Sequence, residues 1–382
     1  VSAPELPALP EPAALERAFA WLRQEGYSQL QFLPGRRGSF GPFTLIDEAR
    51  LALQRLRRQS IVLKPSLFLE LHHACLPPRL KLLGRLLYRE ETVPSRLARK
   101  LLGTDGQVLI DSGLVVEQAQ VWHPRYRVVP YERLLMLGDA SRLHDHPQAV
   151  DWDWDTFELA DLLHQVPAGA ANRVLDIGCG TGLQLLSRCQ SGGSGCGFDV
   201  NPRAVGLSTL NAHVNAIGDV SFRLGSVEAA EPGPYHLIVW LPPGLPDTAM
   251  KVPHLNVAGG EEGWEVAVSC MTQAAPLLSA HGELWSMLCL FTYGERRSGH
   301  HRALENLAQT QGLRIRIHEL FRFYPKAPDF RRYCRDHDVR TAHVVIVRLR
   351  RSSLPGVEPI GLAWHAAALG NLRCLIGRHP GS

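Results

Sequence analysis

Arg173-Val174-Leu175-Asp176-Ile177-Gly178-Cys179-Gly180-Thr181-Gly182 is the stretch whose reading decides the fold. An apolar strand delivers one carboxylate, Asp176, to a loop in which Gly178, Gly180 and Gly182 alternate with Cys179 and Thr181, and a helix is predicted from Leu183. Only residues without side chains let a backbone pass this close to a ligand at a helix start. The spacing lacks the Gly-x-Gly-x-x-Gly turn that packs a pyrophosphate against a helix. A carboxylate at Asp176 would also repel such an anion.

Working outward, Gly197-Phe198-Asp199 ends the next apolar strand, about 20 residues beyond the glycine loop, where a second carboxylate can accept both hydroxyls of a ribose. Asn201-Pro202 then caps the following helix, with proline at its first position. Two strand-end acids around a side-chain-free bend suit a ligand carrying a positive sulfonium and amine, an amino-acid carboxylate and a ribose.

Around this centre strands and helices alternate from about Asp151 to Arg350, the pattern of a mostly parallel sheet covered on both faces. Strands are expected at Val174–Ile177, Gly195–Asp199, Val220–Leu224, Leu237–Trp240 and Glu283–Leu290, with Arg314–Leu320 and His343–Leu349 as a closing pair. Helices fit Leu183–Cys189, Arg203–Ala216, Trp264–Ala275 and His301–Gln311. Asp155 and Glu158 suggest a capping arrangement for a helix over Thr156–Gln165. Upstream, Leu15, Phe19 and Leu22 fall on one helical stripe closed by Gly26, and a second helix fits Leu45–Leu56. The block after Leu71 has an apolar helix over Leu80–Leu87, a short helix after Thr92-Val93-Pro94, and an alternating run from Val121 to Val129. That order is winged-helix-like. The expected division is 1–60, a helical segment; 61–150, a winged-helix-like domain; 151–350, the ligand-binding α/β domain; and 351–382, an extension with a short helix near Leu362–Leu369.

Composition narrows the function classes. The 382 residues are 45% hydrophobic and 20% charged with a net charge of +4, an ordinary globular balance. No run reaches the roughly 18 apolar residues of a membrane span, and the N-terminus lacks a secretory pattern, so no membrane partner and a cytoplasmic location are expected. The eight cysteines never form a Cys-x-x-Cys pair, and the histidines at 72–73, 144–146 and 300–301 have no matched ligand pair, so no metal is expected. From Leu51 to Lys100 eleven basic residues stand against three acidic ones, a basic face of some kind.

The run from Arg173 through Gly244 resembles the class I S-adenosylmethionine-dependent methyltransferases, and within them the group with the "small methyltransferase" domain, which holds release-factor glutamine and ribosomal-RNA guanine methyltransferases. Asp199-Val200-Asn201-Pro202-Arg203-Ala204-Val205, with Asn211 and Asn215 behind it, looks like that group's ribose-binding strand and helix. Ala258-Gly259-Gly260-Glu261-Glu262-Gly263 is similar to the glycine loop after its catalytic motif.

The resemblance implies a Rossmann-like seven-stranded methyltransferase sheet, with S-adenosyl-L-methionine as cofactor and S-adenosyl-L-homocysteine as product. It implies cofactor contacts from Asp176, Gly178, Cys179, Gly180, Thr181, Gly182, Asp199, Val200, Ser226, Val227, Leu241 and Thr156. Relatives that methylate planar nitrogens carry Asn or Asp, then Pro-Pro and an aromatic residue. Here the motif reads Trp240-Leu241-Pro242-Pro243-Gly244, so Leu241 cannot accept an amino hydrogen and Gly244 cannot stack.

Pro242, Pro243, Trp154 and Trp240 are expected to wall the acceptor pocket. His254 is the first candidate base, since an unperturbed imidazole is poised near neutral pH, with Glu261, Glu262 and Tyr293 behind it. The reading is methyl transfer to a small-molecule or peptide-like acceptor, with the N-terminal block as a lid or homodimer surface. Methylation of rRNA, tRNA or protein nitrogen is one alternative, and a non-catalytic cofactor-binding winged-helix protein is another.

Overall fold

The computed structural model describes residues 5–30, 76–143, 146–152, 154–164, 166, 172–249, 258–294, 299–323 and 328–362. The expected helix over Leu45–Leu56, most of the short helix near Leu362–Leu369 and His254 lie outside the described residues.

The N-terminal elements are α1 (Pro12–Gln24), α2 (Pro78–Leu83, continued by a π-helical turn to Tyr88), β1 (Val93–Pro94), α3 (Ser95–Leu102), α4 (Val108–Asp111), β2 (Val115–Gln118), β3 (Val121–Pro124), β4 (Tyr126–Tyr131) and β5 (Leu134–Asp139). β1, β3 and β2 form a small antiparallel sheet. The alternating run from Val121 to Val129 does not stay one strand. It breaks at Arg125, and β4 leaves to pair with β5 in a separate two-stranded ribbon. Both strands of that ribbon are buried along their whole length, on one side by α1 and the small-sheet helices and on the other by the α/β domain.

The remainder runs α5 (Trp154–Leu163), β6 (Arg173–Ile177), α6 (Leu183–Cys189), β7 (Ser194–Asp199), α7 (Pro202–Val214), β8 (Val220–Leu224), β9 (Tyr235–Trp240), α8 (Glu265–Ala274), β10 (Leu278–Tyr293), α9 (His300–Gln311), β11 (Leu313–Phe323), α10 (Pro328–Asp336), β12 (Val339–Arg351) and β13 (Gly356–Leu362). The large sheet has the order β13-β11-β12-β10-β9-β6-β7-β8. The five strands from β8 to β10 are parallel, and β12 is antiparallel to both β10 and β11. Chain order runs outward from β6 to β8 and then jumps back to β9, so a topological switch point opens at the carboxyl ends of β6 and β9, where such sheets bind ligands.

Three expectations are corrected. β13 adds an eighth strand to the expected seven, so the sheet extends past the boundary drawn at residue 350. It lies at the sheet edge, where Pro359 costs no ladder hydrogen bond. The helix expected from Thr156 begins at Trp154, which puts Asp155 inside the first turn; its Oδ1 accepts the Thr156 N–H at 2.8 Å rather than capping from outside.

The boundary at 150 also fails to separate two cores. Leu15, Phe19, Leu22, Val128, Leu135 and Leu137 share one cluster with Ala204, Leu207, Leu210 and Val214 of α7. Asn211 and Asn215, one helical turn apart, complete the joint by acting as surrogate peptide groups. Asn211 Oδ1 accepts the Leu137 N–H at 2.7 Å and its Nδ2 donates to Leu137 O at 2.9 Å, while Asn215 makes the same pair with Leu135 at 3.0 and 2.9 Å. Buried backbone groups on the β5 edge are thereby satisfied without another strand.

Candidate active site

The glycine loop closes over the end of β6. Gly178, Gly180 and Gly182 all hold positive φ, 65°, 53° and 83°. At Gly182 a Cβ would come within 2.9 Å of the Phe222 ring and 3.0 Å of Ser208 Cβ, so both the backbone conformation and the packing exclude a side chain. Cys179 N–H donates to Phe198 O at 2.9 Å, and Gly182 N–H to Cys179 O at 2.7 Å, fixing the loop against β7.

Asp199 stands at the end of β7, half-buried. Its Oδ2 accepts the Gly180 N–H at 2.9 Å and its Oδ1 the Asn201 N–H at 2.9 Å. Burial raises the carboxyl above its ordinary value, against the opposing effect of these backbone donors. Each oxygen keeps a further lone pair for a hydroxyl. Next to it Val200 is 59% exposed, an apolar side chain left open at the crevice. As expected, Asn201 caps α7, its Oδ1 accepting the Arg203 N–H at 3.0 Å.

Asp176 takes a different place from the one expected. It is only 2% exposed, beneath the loop, and its Oδ2 accepts the Leu185 N–H of α6 at 3.3 Å. Burial, with a lesser contribution from the Asp199 charge, pushes its carboxyl up to about 8. Direct contact with a ligand is closed to it, and its role is to tie the loop to the helix.

The sign of the resulting pH effect follows from linkage. Between the unfolded value near 3.8 and the folded value of about 8 the folded chain keeps a proton that the unfolded chain has lost, so this group's contribution makes stability fall as pH rises through that window. Asp176→Asn, which keeps an acceptor for Leu185, is therefore expected to gain stability relative to the parent as pH rises from 4 towards 8. Urea unfolding at several pH values reads that difference; a pH-independent difference contradicts it.

The remaining expected cofactor residues frame the crevice unevenly. Cys179 and Thr181 are buried, so only their backbone can face a ligand. Thr156 is half-buried, its carbonyl accepting from Gln184 Nε2 at 3.1 Å. After β8, Ser226 Oγ is hydrogen-bonded to Glu228 Oε2 at 3.1 Å, and Val227 is buried in the core. Leu241 packs against the core formed by Leu159, Val239 and Trp285.

On the expected acceptor side, Pro242 is buried and Pro243 half-buried. The turn they make backs onto the second glycine loop: a Cβ at Gly259 would lie 2.5 Å from Gly263 O and 2.8 Å from Pro243 O. Glu262 holds this loop to α9, its Oε2 accepting from Trp264 Nε1 at 2.8 Å and from the Gly299 N–H at 3.0 Å. Glu261, beside it, is exposed.

Two assignments are corrected here. Tyr293 is 4% exposed, its hydroxyl lies 3.2 Å from that of Tyr333, and burial drives its pKa upward, so it is neither reachable nor basic. Trp240 is 5% exposed and its Nε1 lies 3.5 Å from where a Cβ of Gly178 would sit, so it props the glycine loop from below rather than walling a pocket. For Trp154 the side chain lies outside the described residues.

A further polar chain crosses β10, β12 and β11. His343 of β12 lies with Nε2 2.7 Å from Thr292 Oγ1 and Nδ1 3.0 Å from Glu319 Oε2, and Glu319 is buried. These residues come from three strands, and no local spacing announces their meeting.

Residues 158–315 match the model of the methyltransferase small domain. The release factor glutamine methyltransferase of Deinococcus radiodurans is 34% identical over 122 residues, 29% of this chain and 44% of that protein. The protein of the same name from Bradyrhizobium diazoefficiens is 32% identical over 136 residues, 32% of this chain and 46% of that protein. The chain thus spans less than half the length of the curated relatives it matches. A solved structure, M. jannaschii TYW2 in complex with AdoMet, overlays with a TM-score of 0.41 at 13% identity, over 62% of this chain and 93% of that one, and adds nothing to the topology already described. Residues 158–315 are thus similar to the methyltransferase small domain, on the α/β sheet described above.

Proposed function

We propose that the chain is an S-adenosyl-L-methionine-dependent methyltransferase acting on a small-molecule or peptide-like acceptor. The observation that carries this is Asp199, the carboxylate at the end of β7 beside the switch point, bonded to the N–H of Gly180 in the glycine loop and open to the crevice. The residues fit the group: Asp199 is held by the backbone N–H groups of Gly180 and Asn201 with lone pairs to spare, and where a Cβ of Gly180 would sit the nearest protein atom is Val150 Cγ1 at 3.9 Å. When bound, that cofactor supplies a methyl group already activated by its sulfonium.

The chain's own residues then align and exclude water. Asp199 would take the two ribose hydroxyls, the backbone from Gly178 to Gly182 would pass along the methionine end, and Val200 with the backbone at Ser226-Val227 would border the base. The Pro242-Pro243 turn floors the acceptor side. His254 and Glu261 are the proton acceptors of this reading, with Tyr293 withdrawn.

The names of the curated relatives favour a protein or peptide acceptor. Leu241 and Gly244, which offer neither a hydrogen-bond acceptor side chain nor an aromatic face, argue that the group methylated is held differently from a planar amide. A nucleic-acid acceptor has less support. Within the described part of the basic stretch, Arg79, Arg85 and Arg99 are paired with Glu25, Glu91 and Glu117 at 2.8, 2.6 and 2.5 Å.

Incubation with methyl-labelled cofactor, a purified release factor and a fractionated cell extract, with and without nuclease, separates these. Label in a nuclease-resistant peptide or metabolite fraction is expected, and label on a glutamine amide of the release factor would contradict the reading of Leu241 and Gly244. Label that disappears with nuclease would overturn the acceptor reading.

A further inference from the structure

The segment before α5 is tied to the glycine loop by contacts that the loop itself does not explain. Trp152 Nε1 donates to Thr181 Oγ1 at 2.6 Å, both residues being buried. The indole ring lies on Gly138 of β5, where a Cβ would come within 2.7 Å of Cη2. Two residues back, Val150 Cγ1 lies 3.9 Å from where a Cβ of Gly180 would sit. Val150 is itself fixed by Asp139 of β5: its N–H donates to Asp139 Oδ2 at 2.8 Å, and its carbonyl accepts the Asp139 N–H at 2.8 Å. Asn201, next to the ribose-binding acid, donates from Nδ2 to Gln148 O at 2.9 Å. Residues 148–152 therefore reach the crevice rim at Gly180, Thr181 and Asn201, and they are anchored on the N-terminal ribbon.

We infer that residues 148–152 are part of the cofactor site and that Trp152 is a positioning residue, which sets the glycine loop through Thr181 and makes cofactor affinity depend on the N-terminal region. This rests on the reading of the crevice as an S-adenosylmethionine site. A buried indole N–H needs an acceptor, and Thr181 Oγ1 is the one it has. Because the loop strings three positive-φ glycines together, its unrestrained chain has many alternatives, and holding it beforehand removes that ordering cost from binding. Without the tether the binding-competent loop is a smaller fraction of the population, and apparent affinity falls by that fraction.

The test is calorimetric titration of the full chain with S-adenosyl-L-homocysteine, for the parent, Trp152→Phe, Thr181→Val and the double variant. Trp152→Phe keeps a ring over Gly138 and removes the donor; Thr181→Val keeps the shape and removes the acceptor. Each single variant is expected to bind roughly 5- to 20-fold more weakly, and the double variant no more weakly than the worse single one, because both remove the same bond. Urea midpoints measured alongside separate this from loss of folding, and affinities are compared only on the folded fraction. Unchanged affinity in both single variants, or losses that multiply in the double variant, would overturn the inference while leaving the cofactor reading intact. A parent chain that binds no nucleoside overturns both.

Discussion

Asp199→Ala is expected to weaken cofactor binding by about 1.5–3 kcal/mol, roughly 10- to 150-fold, the range for losing hydrogen bonds to a charged group. The substitution removes the acceptor for two ribose hydroxyls and also frees the Gly180 and Asn201 N–H groups that the carboxylate holds at 2.9 Å each. Asp199→Asn keeps the shape but turns one acceptor into a donor, so one backbone N–H must face an NH2 group; its loss should fall between those of the parent and the alanine variant. Burial raises the Asp199 carboxyl, so affinity should also decline on the acid side as the ionised form is depleted. Calorimetry on the parent and the two variants checks the order, and equal affinities across the three would remove Asp199 from the site.

Arg203→Ala should have the largest effect on stability, about 3–5 kcal/mol, the cost of leaving a buried charge uncompensated. Asp139 is fully buried, and Arg203 grips it through Nε to Oδ2 at 2.7 Å and through Nη2 to Oδ1. The same guanidinium donates from Nη1 to Pro7 O at 2.8 Å, linking the extended N-terminal segment, the ribbon and the start of α7. Adding Asp139→Asn to the arginine variant removes the stranded charge and should recover part of the loss, so the double variant should lie above the sum of the singles in urea unfolding. An arginine variant within about 0.5 kcal/mol of the parent, as for an ordinary surface change, would contradict this account of the joint.

What was legible in the sequence follows from how local each constraint is. The glycine loop, Asp199 and the Asn201-Pro202 cap could be read because backbone conformation and capping chemistry act within a few residues. The parallel strands could be read from their apolar runs. The ribbon of β4 and β5 was not, since Leu134–Asp139 is buried on both faces and shows no alternation, and Arg127 and Pro130 disguise its partner. α10 escaped because Asp329, Arg331, Arg332, Arg335 and Asp336 hide its periodicity, and β13 because Gly356, Pro359 and Gly361 read as breakers.

The site was legible where a backbone made it and illegible where distant side chains did. Asp176 and Asp199 look alike in sequence as strand-end acids, yet the helix packed above Asp176 buries one and leaves the other at the crevice. Tyr293 fell on the face of β10 that packs against Leu245 and Tyr333, a burial decided by residues far away in the chain in either direction. Trp152 pairs with Thr181 across 29 residues, a contact that no spacing rule foretells.

The most direct measurement is a crystal structure of the full chain soaked with S-adenosyl-L-homocysteine. The nucleoside is expected across the carboxyl ends of β6 and β7, its ribose hydroxyls on Asp199 and its amino-acid end along Gly178–Gly182. A nucleoside bound elsewhere, or an Asp199 carboxylate facing solvent with the glycine loop unchanged beside saturating ligand, would contradict it.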